Sequence, residues 1–489
     1  MSQVESASHP SEVLPQPRRR RWRVWLGVVL LLFMLWLAVM YGLFAYWADR
    51  ELREAIAEAD HESPSGWQLA DIDARREQVP DEENAAFVVM KVKSLLPANW
   101  AIQTNSTNAG TQQSWLELSP EVQLDQDMVA GLRTSLAQVE PARAEARKLI
   151  GMTRGRFPLE WADDIFMTTF QSQDARSAAN LLGYEAALAA QGGNADAAVD
   201  VVRALVGSAR SIGDEPTLVS TLSRLACDAH AVAALERALA QGEPSLWHLE
   251  AVQALLEKEA TEPLFVQGVR GERAGLHKML LSLRHGDTTL SRLAGATGAV
   301  EKKVMDLASP TLARRSHAHM LRLLNEYVGA SQLPPEKQPA VMKGLERKVI
   351  QAKIEYDVVT ALVMPAIIKV SEANRRGVGN LRCALVAVAL ERYRRDHGCW
   401  PDTLDALVPQ YLAAVPADPQ DGKPLRFKRR PDGVVVYWIG LDGADDGGKL
   451  NRLNYLAKGS DQGFQLWDVN QRRQPAREML FMPTPEAAP

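Results

Sequence analysis

The chain has few cysteines and little net charge, and it lacks the common catalytic signatures. Only three cysteines occur among 489 residues, and no two have the CxxC spacing of a metal or redox site. The formal net charge is −4, with acidic and basic residues spread along the chain. This balance argues against a nucleic-acid-binding face. HExxH, GxSxG, GxxxxGK[ST] and GxGxxG are all absent, so the sequence predicts neither a nucleic-acid partner nor an enzyme.

The histidines and cysteines do not form a local ligand set. His317 and His319 are two residues apart, so on a helix their side chains point about 200° apart. Cys383 lies in a predicted helix that ends near His397, which puts Cys399 about 20 Å away along the axis. Bridged cysteines need Cα atoms within ~7 Å. We therefore expect free thiols, no catalytic residue and no cofactor held by these side chains.

The longest uncharged run, residues 24–47, predicts a transmembrane helix. As a helix it spans about 36 Å, more than the ~30 Å hydrocarbon core of a bilayer. Trp and Tyr residues stand at both of its ends, as at membrane interfaces. A cleaved signal peptide has a shorter apolar core and small residues before the cut, and a buried core helix rarely follows five arginines. The run therefore favours an uncleaved anchor.

The charges that flank this run predict its orientation. Five arginines lie within residues 18–23, whereas residues 49–62 contain six acidic and only two basic side chains. The positive-inside rule then makes residues 1–23 a cytoplasmic basic tail and places the bulk of the chain across the membrane. Within that tail, residues 1–17 are polar and are predicted to be disordered. Membrane lipid is the first expected partner, with anionic headgroups attracted to the arginines.

Residues 48–370 are predicted to form an extracytoplasmic helical domain. Apolar residues recur at three- and four-residue spacing between short Gly, Pro, Asn or Asp breaks. The clearest hairpin joins residues 174–191 to residues 195–213, and it resembles a tetratricopeptide hairpin locally. Because one hairpin does not make an array, an α-helical bundle and a solenoid-like stack remain open. The polar residues 99–119 are predicted to form a loop or a small hairpin.

Residues 371–450 predict a small α+β module at the end of a mostly α chain. A long helix is expected to end near His397, with Gly398 as a left-handed cap. A short second helix follows, with Asp402 as its N-cap. Two strands, 425–429 and 434–439, are joined by the hairpin signal of residues 430–433. Residues 451–489 are predicted to contain one more strand, near 464–467, and a disordered tail.

Three segments of this module carry a family resemblance. Residues 390–401 (LERYRRDHGCWP), 415–419 (VPADP) and 437–443 (YWIGLDG) occur in the order found in the globular domain of type II secretion major pseudopilins, which the module resembles. The whole chain is similar to membrane-anchored bacterial proteins that pair a helical region with such a module. This resemblance implies a bacterial source and an inner-membrane location, and it gives the module a pseudopilin-like fold.

The same resemblance implies a calcium site in the loop after the second strand. In pseudopilins this loop binds calcium, and the matching side chains here are Asp442, Asp445 and Asp446. Carboxylates suit calcium, which takes six to eight oxygen ligands. The alternative is a solvated turn, since Asp and Gly favour turns for their own reasons. The apolar helix lies more than 300 residues upstream of the module and lacks the pseudopilin Gly-Phe-Thr-Leu-x-Glu pattern, so a fibre subunit is not expected.

These patterns favour a non-enzymatic, membrane-tethered scaffold or interaction protein of the bacterial envelope with a pseudopilin-like, calcium-binding head. Envelope proteins are then its expected partners. Two alternatives stay open. One is a component or adaptor of a type II secretion-like machine, and the other is an extracytoplasmic enzyme of unrecognised type, because a site built from distant residues leaves no local motif.

Overall fold

The computed structural model describes residues 19–98, 100, 118–159, 161, 171–293, 298–354, 357–452 and 458–476. The chain divides into two compact units, Met1–Glu54 and Ala55–Pro489. Three predictions concern segments outside the described residues: disorder in residues 1–17, most of the loop at residues 99–119, and disorder at the C-terminal end.

The predicted apolar segment lies in helix α1, Arg19–Glu62. Two described helices, α1 and Leu218–Gln241, are long and apolar enough to cross a membrane. None of the most apolar 18-residue stretch of α1 is buried inside the protein. In Leu218–Gln241, 56% of the corresponding stretch is buried. The second helix is therefore a core helix, and α1 is the one that matches the predicted span.

The protein is mostly helical, as predicted, and a three-stranded sheet completes it. The helices after α1 run in this order: α2 Leu69–Ala74, α3 Ala85–Leu95, α4 Gln126–Gln138, α5 Glu140–Ala146, α6 Ser172–Gln191, α7 Ala195–Arg210, α8 Leu218–Gln241, α9 Leu246–Ala260, α10 Leu264–His285, α11 Leu290–Leu293, α12 Ala299–Ser331, α13 Gln338–Ile354 and α14 Val358–His397.

Local signals set several helix ends. The side chains of Asp125, Asn194 and Thr217 each accept a hydrogen bond from a backbone N–H in the first turn of α4, α7 and α8. Gly398 has φ of 75° and donates its N–H to the carbonyl of Arg394, so it ends α14 in the left-handed conformation expected of it. The hairpin of α6 and α7 packs against α8.

One hydrophobic core joins the helices to the C-terminal sheet. Its buried members come from α3 to α9, from the second half of α14 and from β2 and β3. A second core lies among α10, α12, α13 and the first half of α14. The predicted boundary at residues 370 and 371 falls inside α14, which contributes side chains to both cores.

The sheet consists of β1 Arg426–Arg430, β2 Gly433–Trp438 and β3 Gln462–Trp467, in that spatial order. Both pairings are antiparallel, with Phe427 opposite Val436 and Val436 opposite Phe464. All six residues of β2 are buried. The two predicted hairpin strands and the third strand are each present within a few residues of the expected positions.

The short element after α14 differs from the prediction. It is a 3-10 turn over Leu404–Leu407 that follows Thr403, and no side chain caps it. Asp402 instead accepts a hydrogen bond from the guanidinium of Arg429, 2.9 Å away. The carboxylate is therefore used for an ion pair with β1, and its predicted role as an N-cap is wrong.

Candidate functional site

The three predicted calcium ligands lie in the loop that follows β2, and two of them are engaged by protein donors. The Asp445 carboxylate accepts hydrogen bonds from the Arg426 guanidinium at 3.1 Å, from the Tyr437 hydroxyl at 3.2 Å and from the backbone of Gly447 at 3.0 Å. These bonds and Arg426 hold the pKa of Asp445 below its ordinary value. Asp442 accepts from the backbone N–H of Ala444 at 3.2 Å.

A fourth carboxylate, Asp461, joins this loop in space although it lies at the start of the third strand. Asp461 is 2% exposed, and one of its oxygens accepts the backbone N–H of Gly448 at 2.7 Å. Its Oδ1, like Oδ2 of Asp446, is buried and finds no hydrogen-bond donor among the residues that the structure describes. Burial raises the pKa of Asp461, and the charges of Asp445 and Asp446 raise it further.

Sequence reasoning missed Asp461 because it is separated from the loop by residues 453–457 and carries no motif. Its only local signal was its position directly before a predicted strand. Within the described ranges, no group of three or more His, Cys, Asp or Glu side chains is arranged to hold a metal ion. The loop thus brings acidic oxygens close together without a complete set of protein ligands.

A groove of about 490 Å³ lies beside this loop. One wall is formed by α8, the other by α14 and the first residues of β3. Its apolar lining includes Leu222, Leu225 and Ala229, and Leu222 is 39% exposed. We refer to it as the α8 groove.

Charged side chains line the far end of the α8 groove. Arg452 and Glu236 form an ion pair, and Glu236 also accepts the backbone N–H of Gln465 at 2.8 Å, which covers one unpaired donor of the edge strand β3. Arg237 is almost fully buried and donates to the carbonyl of Val122 at 3.1 Å. Burial lowers the pKa of Arg237 to about 10.

A buried ionic network supports the helices behind the groove. Glu259 is fully buried and receives Nη1 of Arg210 at 2.7 Å and Nε of Arg224 at 2.7 Å. Burial raises the pKa of a carboxyl group, but here the two guanidiniums outweigh it and lower the pKa of Glu259. The neighbouring Asp228 is buried, and burial raises its pKa well above the ordinary value, with Glu259 adding to the effect.

A pair of buried histidines was also missed by sequence reasoning, because its members are 40 residues apart. Nε2 of His317 lies 2.9 Å from Nδ1 of His277, and the ring of His277 packs against Trp67. Burial lowers the pKa of His277 to about 4 and that of His317 to about 2, so both rings are neutral. His319 points elsewhere, to Asp357 at 2.7 Å, as the two-residue spacing predicted.

All three cysteines are free: Cys227 and Cys383 are buried, and Cys399 is exposed. Burial raises the pKa of the Cys383 thiol, which makes it unreactive. In comparisons with known proteins, no family model, curated protein or solved structure matches the chain. The resemblance to pseudopilins therefore stays a prediction.

Proposed function

We propose that the chain is a non-enzymatic binding protein of the bacterial envelope, anchored in the inner membrane by α1. The length and apolar composition of α1 support the anchor. The arginines before it and the acidic residues after it support an orientation with the bulk of the chain outside the cytoplasm. Two buried carboxylates of the described chain, Glu259 and Glu391, are engaged in ion-pair networks that join helices, which suits a structural role.

The α8 groove is the observation that carries this proposal. This concave surface combines an apolar wall on α8 with charged residues, among them Glu236 and Arg452. Leu222 on α8 lines the groove and is 39% exposed, so apolar area remains available there. We infer that the groove takes a short segment of another envelope protein, whose apolar side chains cover Leu222 and Leu225.

Site-specific photo-crosslinking in cells tests this assignment. A photo-reactive residue at Leu222 should give a discrete crosslinked protein, whereas one at Leu307, which is 85% exposed on α12, should not. Both positions are exposed leucines on helices, so the comparison controls for exposure alone. Adducts of equal yield at both positions, or at neither, would contradict the proposal.

The second candidate function is that of an adaptor in a type II secretion-like machine. It is supported by the order of elements in the C-terminal module, in which a long helix, a short 3-10 turn and a hairpin follow one another, in the order that the pseudopilin resemblance implies. The identity of the protein crosslinked at Leu222 separates the two candidates, because only the adaptor should capture a secretion component.

Calcium binding at the acidic loop is a further part of the proposal. Asp446 and Asp461 each offer a buried carboxylate oxygen that has no donor among the described residues, and Asp445 lies beside them. A hard cation held by these oxygens, loop carbonyls and water would suit calcium. Millimolar calcium should raise the melting temperature of the full chain in detergent, and magnesium should do so less.

The variant Asp446→Asn should abolish the calcium-dependent rise, while Asp405→Asn, at an exposed acid of the same module, should preserve it. An unchanged melting temperature of the wild-type chain at millimolar calcium would contradict calcium binding at this loop. An equal rise in wild type and Asp446→Asn would also exclude this site.

A further inference from the structure

A second, smaller cleft of about 180 Å³ lies away from the α8 groove, where the turn after α1 meets α2 and α10. It is polar and includes three arginine side chains. Its charged and aromatic lining consists of Glu62, Trp67, Arg75, Arg270 and Arg273. Glu62 is thus the single carboxylate that faces three guanidinium groups.

Arg273 forms the buried wall of this cleft. Its side chain is fully buried, and its guanidinium lies 5.1 Å from the centre of the Trp67 ring. One terminal nitrogen donates to Glu62 at 2.9 Å and the other to the hydroxyl of Ser63 at 3.1 Å. Its Nε–H has no acceptor among the residues that the structure describes. A buried cationic donor without an acceptor is costly unless a ligand supplies one.

The other two arginines are accessible from solvent. Arg75 donates to the backbone carbonyls of Ser65 and Gly66, the latter at 2.8 Å, and so holds the turn that forms the cleft. Arg270 is exposed and makes no ion pair within the described ranges. Its positive charge acts on Arg273, whose pKa is lowered mainly by burial. The positive charges of Arg270 and Arg273 therefore repel one another, and Glu62 compensates only part of the positive charge in the cleft.

We propose that this cleft binds a phosphate-type oxyanion. Three guanidiniums against one carboxylate leave an excess of two positive charges, which matches a phosphomonoester or inorganic phosphate dianion better than a single carboxylate. Guanidinium groups bind such oxygens through paired, charge-assisted hydrogen bonds. Nε of Arg273, the fork of Arg270 and the Ser65 hydroxyl would supply donors from three sides. The bound oxyanion would belong either to a free phosphate compound or to the phosphomonoester headgroup of a lipid.

Thermal shift and calorimetric titration of the full chain in detergent test the proposal, with chloride used to keep the ionic strength constant. The probes are inorganic phosphate and short-chain phosphatidic acid, and short-chain phosphatidylcholine serves as the lipid control. We expect saturable binding of phosphate or phosphatidic acid. Arg270→Gln should weaken that binding about tenfold, since it removes a charge-assisted donor pair.

The matched control is Arg133→Gln, at an exposed arginine of α4 outside the cleft, which should leave the affinity unchanged. A shift with both inorganic phosphate and phosphatidic acid supports a free phosphate source, and a shift with phosphatidic acid alone supports the lipid source. The absence of saturable binding by either probe overturns the proposal. Equal affinity in wild type, Arg270→Gln and Arg75→Gln overturns it as well.

Discussion

At the scale of single residues, this protein stabilises buried charge by pairing it tightly. Glu391 on α14 is fully buried, and it receives the guanidiniums of Arg394 at 2.7 Å and Arg472 at 2.9 Å. Removing one partner from such a network leaves an uncompensated buried charge and typically costs about 3–5 kcal/mol. These networks are structural, and their members are not free for catalysis.

Glu272 is a buried carboxylate that makes no ion pair with any residue that the structure describes. Burial raises its pKa to about 7 from 4.5, although a backbone hydrogen bond from Leu218 opposes the rise. The folded chain therefore keeps a proton that the unfolded chain has released between pH 4.5 and 7. The stability contributed by the neutral form is lost as pH rises through this interval.

The variant Glu272→Gln should therefore be more stable than wild type at pH 8, by at most about 3 kcal/mol, and equal to it near pH 4.5. Urea denaturation at several pH values measures the difference. His277 and His317 affect the pH dependence of stability in the opposite sense. Because their pKa values are lowered in the folded state, the fold loses stability as the pH falls below 6.5. That effect is common to both proteins and cancels in the comparison. A constant difference between pH 4.5 and 8 would contradict the assignment.

At the scale of elements, one glycine controls how the sheet packs on the long helix. A Cβ added at Gly379 in α14 would lie 2.6 Å from the ring of Trp438 in β2. Trp438 is fully buried, and its Nε1–H donates to Asn380 at 3.1 Å, so the ring has no room to retreat. The absence of a side chain at residue 379 thus permits the close contact between α14 and β2.

The variant Gly379→Ala should lower the free energy of unfolding by about 1–3 kcal/mol, the usual cost of overpacking. Gly344 in α13 is the matched control, because a Cβ there meets no atom within 4 Å. Gly344→Ala should raise stability by about 0.5–1 kcal/mol through helix propensity. Denaturant titration of both variants measures the change in the free energy of unfolding, which should be negative for Gly379→Ala and positive for Gly344→Ala. A neutral Gly379→Ala would show that Trp438 can repack.

The sequence predicted the elements well wherever a local signal existed. The end of α14 at Gly398, the α6–α7 hairpin and the three strands followed from caps, breaks and apolar periodicity. It failed at Asp402, whose cap signature was overridden by the distant Arg429. Asp461 was missed because its neighbours in the loop are close in space and not in sequence. Tertiary pairing of this kind leaves no pattern in a single sequence.

At the scale of the whole molecule, the helical region and the C-terminal module share one core. Buried residues of β2 and β3 belong to the same cluster as those of α6, α7 and α8. The C-terminal module is therefore packed into the core of the helical region rather than around a separate core of its own.

Hydrogen exchange measured by mass spectrometry should reflect this shared core. Peptides covering β2 and peptides covering α7 should open with the same free energy, because they unfold together. Exchange in detergent with the full chain makes the comparison without any truncation. If β2 opened several kcal/mol more easily than α7, the module would be an independent unit.

The shared core also has a consequence for biosynthesis. Arg473 donates hydrogen bonds to the carbonyls of Ala190 and Gln191. The backbone N–H of Gln474 donates to the carbonyl of Glu121. Residues 473 and 474 therefore contact segments from the first half of the helical domain. These contacts cannot form until residues 473 and 474 have been synthesised, more than 400 residues after α1. If α1 inserts during synthesis, the membrane holds one end of an unfinished chain whose core is still exposed. The shared core can then be completed only after residues 473 and 474 have left the ribosome.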